Sequence, residues 1–114
     1  MTVKENVITK IYDLLLYLIP QLGKFPRDQK FILADRIETA LLDLLEDMIE
    51  AYYGKEKRLV LRRGNVRLEK IRYLIRLSHD LKILGGRRYI YVSERVDEIG
   101  KMIGGWERSL VRVS

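Results

Sequence analysis

Apolar residues recur at three- and four-residue spacing along four stretches of the chain, which is the spacing of residues on one face of a helix. These stretches predict helices over residues 4–22, 26–53, 55–84 and 87–109. The residues predicted to face the core in the first two helices are Val7, Ile11, Leu14, Leu15, Leu18, Leu33, Ile37, Leu41, Leu44, Met48 and Tyr52. In the last two helices they are Leu61, Leu68, Ile71, Ile75, Leu81, Ile90, Val96, Ile99 and Ile103, with Val92 on a flank.

Proline and glycine mark where these helices are expected to end or to come close together. Pro20 falls near the end of the first predicted helix and should kink or stop it, because proline lacks an N–H and its ring clashes with the preceding turn. Gly64 lies at a core position of the third helix, where a small residue lets a neighbouring helix approach closely. The glycine pair at residues 104–105 predicts helix fraying or a close backbone contact.

The connections between the four predicted helices are short, which indicates that consecutive helices run antiparallel. Residues 88–92 are rich in side chains that favour strands, but the chain offers no second strand to pair with them, so a helix is predicted there. The predicted fold is therefore all-α. It is a single domain over residues 1–114, folded as an antiparallel up-down four-helix bundle.

The amino-acid composition indicates a single globular domain and excludes several kinds of site. With 114 residues, of which 47% are hydrophobic and 33% charged, the chain has the size and composition of one globular domain. It has no cysteine, so disulfides, thiolate zinc sites and cysteine nucleophiles are excluded. The first ten residues lack the apolar core of a secretory signal, and the longest apolar run is too short to cross a bilayer. A cytoplasmic protein is predicted, with no membrane partner.

Charge is distributed unevenly along the chain. The formal net charge is +6, but residues 1–54 hold six Lys and Arg against nine Asp and Glu. Residues 55–88 hold 12 cationic side chains against three acidic ones, and residues 89–114 hold four of each. Because the positive excess is confined to the third predicted helix and the turn after it, this part of the chain is expected to bind a polyanion.

The basic residues of this segment form the candidate nucleic-acid and partner interface. They are Arg58, Arg62, Arg63, Arg67, Lys70, Arg72, Arg76, Arg87 and Arg88. Tyr73, Tyr89 and Tyr91 lie nearby in sequence, and aromatic rings beside arginines can stack on unpaired bases. Some of these arginines are also expected to pair with acidic residues of the second helix. The candidate acidic partners are Asp43, Glu46, Asp47 and Glu50.

The side chains needed for most enzyme chemistry are missing. The chain has one histidine and no cysteine, which excludes a catalytic triad built on them and a di-metal site that needs a Glu-x-x-His motif on two helices. It contains neither a Walker loop nor a Gly-x-Gly-x-x-Gly motif. We therefore expect a protein that is not an enzyme and that holds no cofactor or catalytic metal.

One alternative remains open at the level of sequence. Arg72 and His79 are spaced as in the Arg-x4-6-His motif of HEPN-type ribonucleases, which are also helical bundles. In that reading His79 is the general base and Arg72 holds the phosphate. Tyr73 occupies the position at which that motif usually has a polar residue, so the match is incomplete.

An ordered set of short segments resembles a known family over nearly the whole chain. The segments are LLLYLIP at 14–20, KFPR at 24–27 followed by Phe31, DRIE at 35–38, RYLIRL at 72–77, DL at 80–81, RRY at 87–89, DEIGKM at 97–102 and GGW at 104–106. They are similar to the 23S ribosomal RNA intervening-sequence four-helix-bundle family. Within it, the resemblance is to the accessory variability determinant (Avd) proteins of diversity-generating retroelements.

The resemblance implies a function and an assembly. Avd-like proteins form ring-shaped homopentamers and partner the retroelement's reverse transcriptase and its template RNA during mutagenic cDNA synthesis. The resemblance implies a non-catalytic accessory protein whose basic surface contacts RNA, cDNA or the transcriptase, and it supplies no catalytic residues. Acidic residues 28–50 of one subunit facing basic residues 55–88 of the next would suit the ring. An RNA-binding bundle encoded within a ribosomal RNA intervening sequence is the alternative from the same resemblance.

Overall fold

The computed structural model of the chain describes the backbone of residues 3–113 and the side chains of residues 6–111. Helix α1 is Val3–Leu22, and α2 comprises an opening turn Arg27–Gln29, a π-helical segment Lys30–Ala34 and an α-helix Asp35–Tyr53. Helix α3 is Lys57–Asp80, and α4 is Gly86–Val113. The described backbone contains no strand, so the all-α prediction is confirmed. None of its helices is both long and apolar enough to cross a membrane.

Each helix packs against two others, which closes the four into one bundle. Helix α1 contacts α2 and α4, and α3 contacts the same two helices from the other side. Polar and aromatic pairs join the helices along their length. Lys10 bonds Glu98 at 3.1 Å between α1 and α4, and about two turns further along α1 the rings of Tyr17 and Tyr91 pack at 4.5 Å.

The core confirms most of the predicted apolar positions. Every predicted core residue of α1 and α2 is buried except Tyr52, which is half-buried. In α4 the buried stripe is Val92, Val96, Ile99, Ile103 and Trp106. The prediction that Ile90 is in the core and Val92 on a flank was therefore wrong. Two residues correspond to about 200° of helix, so placing Val92 inward turns Ile90 outward.

The end of α3 also differs from the prediction. The helix was expected to reach residue 84, but it ends at Asp80 because Lys82 adopts a left-handed conformation with φ 62°. The backbone N–H groups of residues 83 and 84 then donate to the carbonyl of Ser78, at 2.9 and 3.1 Å, which closes the helix end. As a result Leu81, predicted to be in the core, is exposed, while Leu84 is buried in its place.

Proline and glycine interrupt the helices less than expected. Helix α1 continues two residues beyond Pro20, and α4 runs through Gly104 and Gly105 without a break, so fraying at that glycine pair was a wrong prediction. A Cβ atom on Gly104 would approach only a side chain of its own helix, the Arg108 guanidinium, at 3.4 Å. The π-helical segment of α2 has no counterpart in the sequence prediction.

Gly64 lets α3 approach α2 closely, as its position predicts. A Cβ atom built on Gly64 would lie 2.6 Å from Met48 Cε and 3.5 Å from Leu44 Cδ1, both side chains of α2 being fully buried. The two helices therefore meet where one of them has no side chain.

Substituting Gly64 tests this contact. We expect Gly64→Leu to lower the free energy of unfolding by about 1–3 kcal/mol, because four carbon atoms must enter a packed interface. Gly64→Ala should be close to neutral, since the end of the Met48 side chain can move aside and alanine favours a helix by about 1 kcal/mol over glycine. Urea denaturation of both variants measures the difference. Equal stabilities would show that α2 and α3 do not pack tightly at this point.

Candidate nucleic-acid interface

One flank of α3, the side toward α2, uses its arginines to hold the bundle together. Asp47 of α2 is buried, with 6% of its side chain exposed. Its Oδ1 accepts hydrogen bonds from Arg63 Nη2 at 2.9 Å and Nε at 3.1 Å, and its Oδ2 accepts one from Arg67 Nε at 2.7 Å. Both carboxylate oxygens are thus satisfied by arginines one helical turn apart, which is what a buried charge requires.

Two outer carboxylates extend this cluster toward solvent. Arg63 also bonds Glu50 at 2.5 Å, and Arg67 Nη1 lies 3.4 Å from Asp43 Oδ2. The hydrogen bonds that Arg63 donates to Asp47 first, and then to Glu50, raise the pKa of its guanidinium above the ordinary value. Arg63 and Arg67 confirm that part of the basic helix pairs with acidic α2.

The opposite flank of α3, toward α4, contains Arg72 between two acids. Its guanidinium bonds Glu69 on the same helix and lies 3.3 Å from Asp97 Oδ1 on α4. Gly100 makes room for it, because a Cβ atom there would lie 2.7 Å from Arg72 Nη2. Arg72 Nε is buried and has no hydrogen-bond partner among the described residues. Four residues on, Arg76 is exposed and its Nε lies 3.7 Å from Asp80 Oδ2.

The remaining candidate cations are exposed. They are Arg58, Arg62, Lys70, Arg87 and Arg88, and none of these five forms an ion pair with another described side chain. At 100° per residue, Arg58, Arg62 and Arg76 fall on one row of α3. Glu69, which is paired with Arg72, lies on the same row between Arg62 and Arg76. The nine candidate residues are thus divided. Arg63, Arg67 and Arg72 hold helices together, while six others present charge to solvent.

An apolar stripe on the outer face of α3 was missed from the sequence. It consists of Leu59, Val66, Tyr73 and Leu77, all exposed, and is hereafter called the outer stripe. These positions repeat at seven and four residues, so they share one face of the helix, between the two basic flanks. The signal is present in the sequence, but the arginines interleaved with it predict a continuous basic face.

The three tyrosines near the basic segment have different surroundings. Tyr73 is 67% exposed, so its ring is open to a ligand. Tyr89 is half-buried and its ring lies parallel to that of His79, with 4.2 Å between centroids. Tyr91 packs on Tyr17 on one side and has the Arg95 guanidinium 5.1 Å from its ring centroid.

The two residues of the ribonuclease alternative both have structural contacts. His79 Nδ1 lies 3.1 Å from the carbonyl oxygen of Leu84, and its ring stacks on Tyr89, so the histidine fixes the loop between α3 and α4. Arg72 is held by Glu69 and Asp97. Both side chains are thus engaged in contacts within the bundle.

A cleft of about 320 Å³ lies between α3 and α4. Its walls include Arg72, Tyr73 and Arg76 from α3 and Tyr89, Ser93 and Asp97 from α4. This volume lies at the lower end of the range of small-molecule sites, about 300–1,000 Å³. Within the described part of the chain, no three His, Cys, Asp or Glu side chains converge to hold a metal ion.

Comparison with known protein families gives a match. The model of a protein family described as bAvd-like matches residues 6–110, which includes α2, α3 and the whole basic segment, and most of α1 and α4. No curated protein and no solved structure shows significant similarity to the chain.

Proposed function

The chain belongs to the bAvd-like family, and on that basis we propose that it is a non-catalytic accessory protein of a diversity-generating retroelement. It binds the reverse transcriptase and the template RNA or cDNA and supports mutagenic cDNA synthesis. The observation that carries this proposal is the family match over residues 6–110. A cytoplasmic location belongs to the proposal and agrees with a chain that has no cysteine.

The exposed cations of α3 and of the start of α4 support the nucleic-acid part of the proposal. Arg58, Arg62 and Arg76 share one row, and Arg87 and Arg88 follow at the next helix. Lys and Arg side chains that displace counterions from phosphates provide affinity that depends on salt and only weakly on sequence. An accessory factor that must accept both template RNA and its cDNA copy needs this kind of binding.

The outer stripe supports the protein-partner part of the proposal. Leu59, Val66 and Leu77 of this stripe are exposed on a basic helix and suited to burial against another protein, while the flanking cations stay available to RNA. In this arrangement the reverse transcriptase and the RNA contact adjacent surfaces of α3.

A homopentamer of antiparallel up-down bundles completes the proposal. The ion pairs support the antiparallel course, since Arg63 bonds Asp47 while Arg67 reaches back to Asp43. Exposed apolar residues on α1, including Tyr12, Leu16 and Ile19, provide surface for subunit contacts. Asp47 is buried within its own chain, so it is not one of the acidic residues that could face a neighbouring subunit.

The test is a cDNA synthesis assay with the retroelement's reverse transcriptase and template RNA. We expect cDNA from the template repeat only when this protein is added, and co-elution of the three components from a sizing column. Light scattering of the protein alone should give a mass five times that of the 13.5 kDa chain. Equal cDNA yields with and without the protein would refute the accessory function, whatever the mass.

Genomic position separates the proposal from the ribosomal RNA alternative. A reverse-transcriptase gene and a template–variable repeat pair beside the coding sequence support the retroelement, whereas a position inside a ribosomal RNA intervening sequence would contradict it. No contact made by Arg72 or His79 favours the ribonuclease alternative.

A further inference from the structure

We propose that the cleft between α3 and α4 holds one unpaired nucleobase of a bound single strand. This deepens the proposed function and rests on it, because the same basic helix would hold the phosphates on either side of that base. The cleft lies beside the row of Arg58, Arg62 and Arg76, so a strand following this row passes its entrance.

The walls of the cleft have the chemistry that an unpaired base needs. Tyr73 at the rim is 67% exposed, and Tyr89 is held in place by its stack on His79. Stacking of a base on such rings contributes roughly a tenfold gain in affinity or more, whatever the base, since every base has a π-face. A rigid ring loses little freedom when the base packs against it, which favours Tyr89 as the inner wall.

Polar groups in the cleft can pair with the edge of a base. Arg72 can donate from its guanidinium, since 35% of its side chain is exposed. Asp97 accepts, its carboxylate is largely exposed, and its contact with Arg72 is long at 3.3 Å. The Arg72 donor and the Asp97 acceptor lie side by side and match the edges of bases, which carry both donors and acceptors. A phosphate alone would be repelled by the carboxylates of Glu69 and Asp97.

Arg76 lies where the backbone of the strand would pass. Its side chain is 65% exposed at the cleft and is held only loosely by Asp80, at 3.7 Å. It can therefore turn to a phosphate while the base enters between α3 and α4. A paired base cannot enter, because its edge is used by its partner and its faces by its neighbours.

The experiment compares three ligands of about 15 nucleotides by fluorescence anisotropy: a single-stranded RNA, an abasic strand with the same phosphates, and a duplex. We expect the protein to bind the single-stranded RNA about tenfold more tightly than the abasic strand. Ser93→Leu, which fills the cleft without changing any charge, should abolish that preference and leave abasic-strand affinity unchanged.

A second pair of variants keeps the test informative should Ser93→Leu disturb packing. Tyr73→Ala should reduce the preference for bases, while Leu77→Ala, at an exposed stripe residue outside the cleft lining, should not. Equal binding of the normal and abasic strands, or loss of preference with Leu77→Ala but not Tyr73→Ala, would overturn the base site and leave nucleic-acid binding by α3 intact. Absence of binding to all three ligands would overturn both.

Discussion

Asp47→Asn is expected to lower the free energy of unfolding by about 2–3 kcal/mol, the largest stability effect of any single charge change in this chain. The carboxylate is buried and accepts hydrogen bonds from Arg63 and Arg67. Removing one member of a buried pair costs about 3–5 kcal/mol. Here the loss is smaller, because both arginines are partly exposed and keep Glu50 and Asp43 as partners. Thermal denaturation should show a fall in Tm of roughly 10 °C.

Glu46→Gln is the matched control for this substitution. It removes the same charge from the preceding position of α2, but Glu46 is exposed and has no ion pair among the described residues. Its effect should stay within about 0.5 kcal/mol. If both variants lose the same stability, the net charge of α2 determines the result and the buried Asp47 cluster contributes nothing specific.

Neutralising Arg58, Arg62 and Lys70 together, each to Gln, should weaken RNA binding by roughly 50-fold at 0.15 M salt. Each phosphate contact contributes about 0.7 to the slope of log affinity against log salt for a single strand. Losing three contacts should therefore flatten the slope by about two units. These residues are exposed and unpaired within the described part of the chain, so the fold should be retained. Arg67 is left unchanged because it is bound to Asp47.

The control for the triple variant removes the same charge elsewhere. Lys24, Lys30 and Arg36 are exposed and lie outside the basic segment. Changing all three to Gln should leave the salt slope nearly unaltered. If the two triple variants lose affinity equally, RNA responds to net charge alone and α3 is not the binding surface.

The sequence was most informative where one pattern had a single interpretation. In α1 and α2 the apolar residues repeat without ambiguity, and the predicted core positions are buried, apart from half-buried Tyr52. At the start of α4 both Ile90 and Val92 are apolar, and only packing against α1 and α3 decides that Val92 faces inward. The end of α3 depends on the left-handed conformation of Lys82. The sequence does not predict this conformation, because it is typical of glycine and not of lysine.

The sequence predicted which residues make up the candidate interface, but not which of them pair within the bundle and which stay exposed. Charge counting located the basic segment, and it also identified the acidic residues of α2 as partners. Charge counting could not predict that Asp47 forms ion pairs with two arginines and Glu46 with none, since this depends on which residues face the neighbouring helix. The position of the Arg72 guanidinium depends on Gly100, 28 residues away on α4, and no local pattern connects the two.

The single row formed by Arg58, Arg62 and Arg76 also sets the length of strand that one subunit can cover. Eighteen residues of helix separate its ends, which is about 27 Å at 1.5 Å per residue. A strand in helical geometry places one phosphate every 3.4 Å, so the row matches a footprint of about eight nucleotides. Oligonucleotides shorter than this should gain affinity with each added nucleotide, whereas longer ones should gain only by reaching a second subunit.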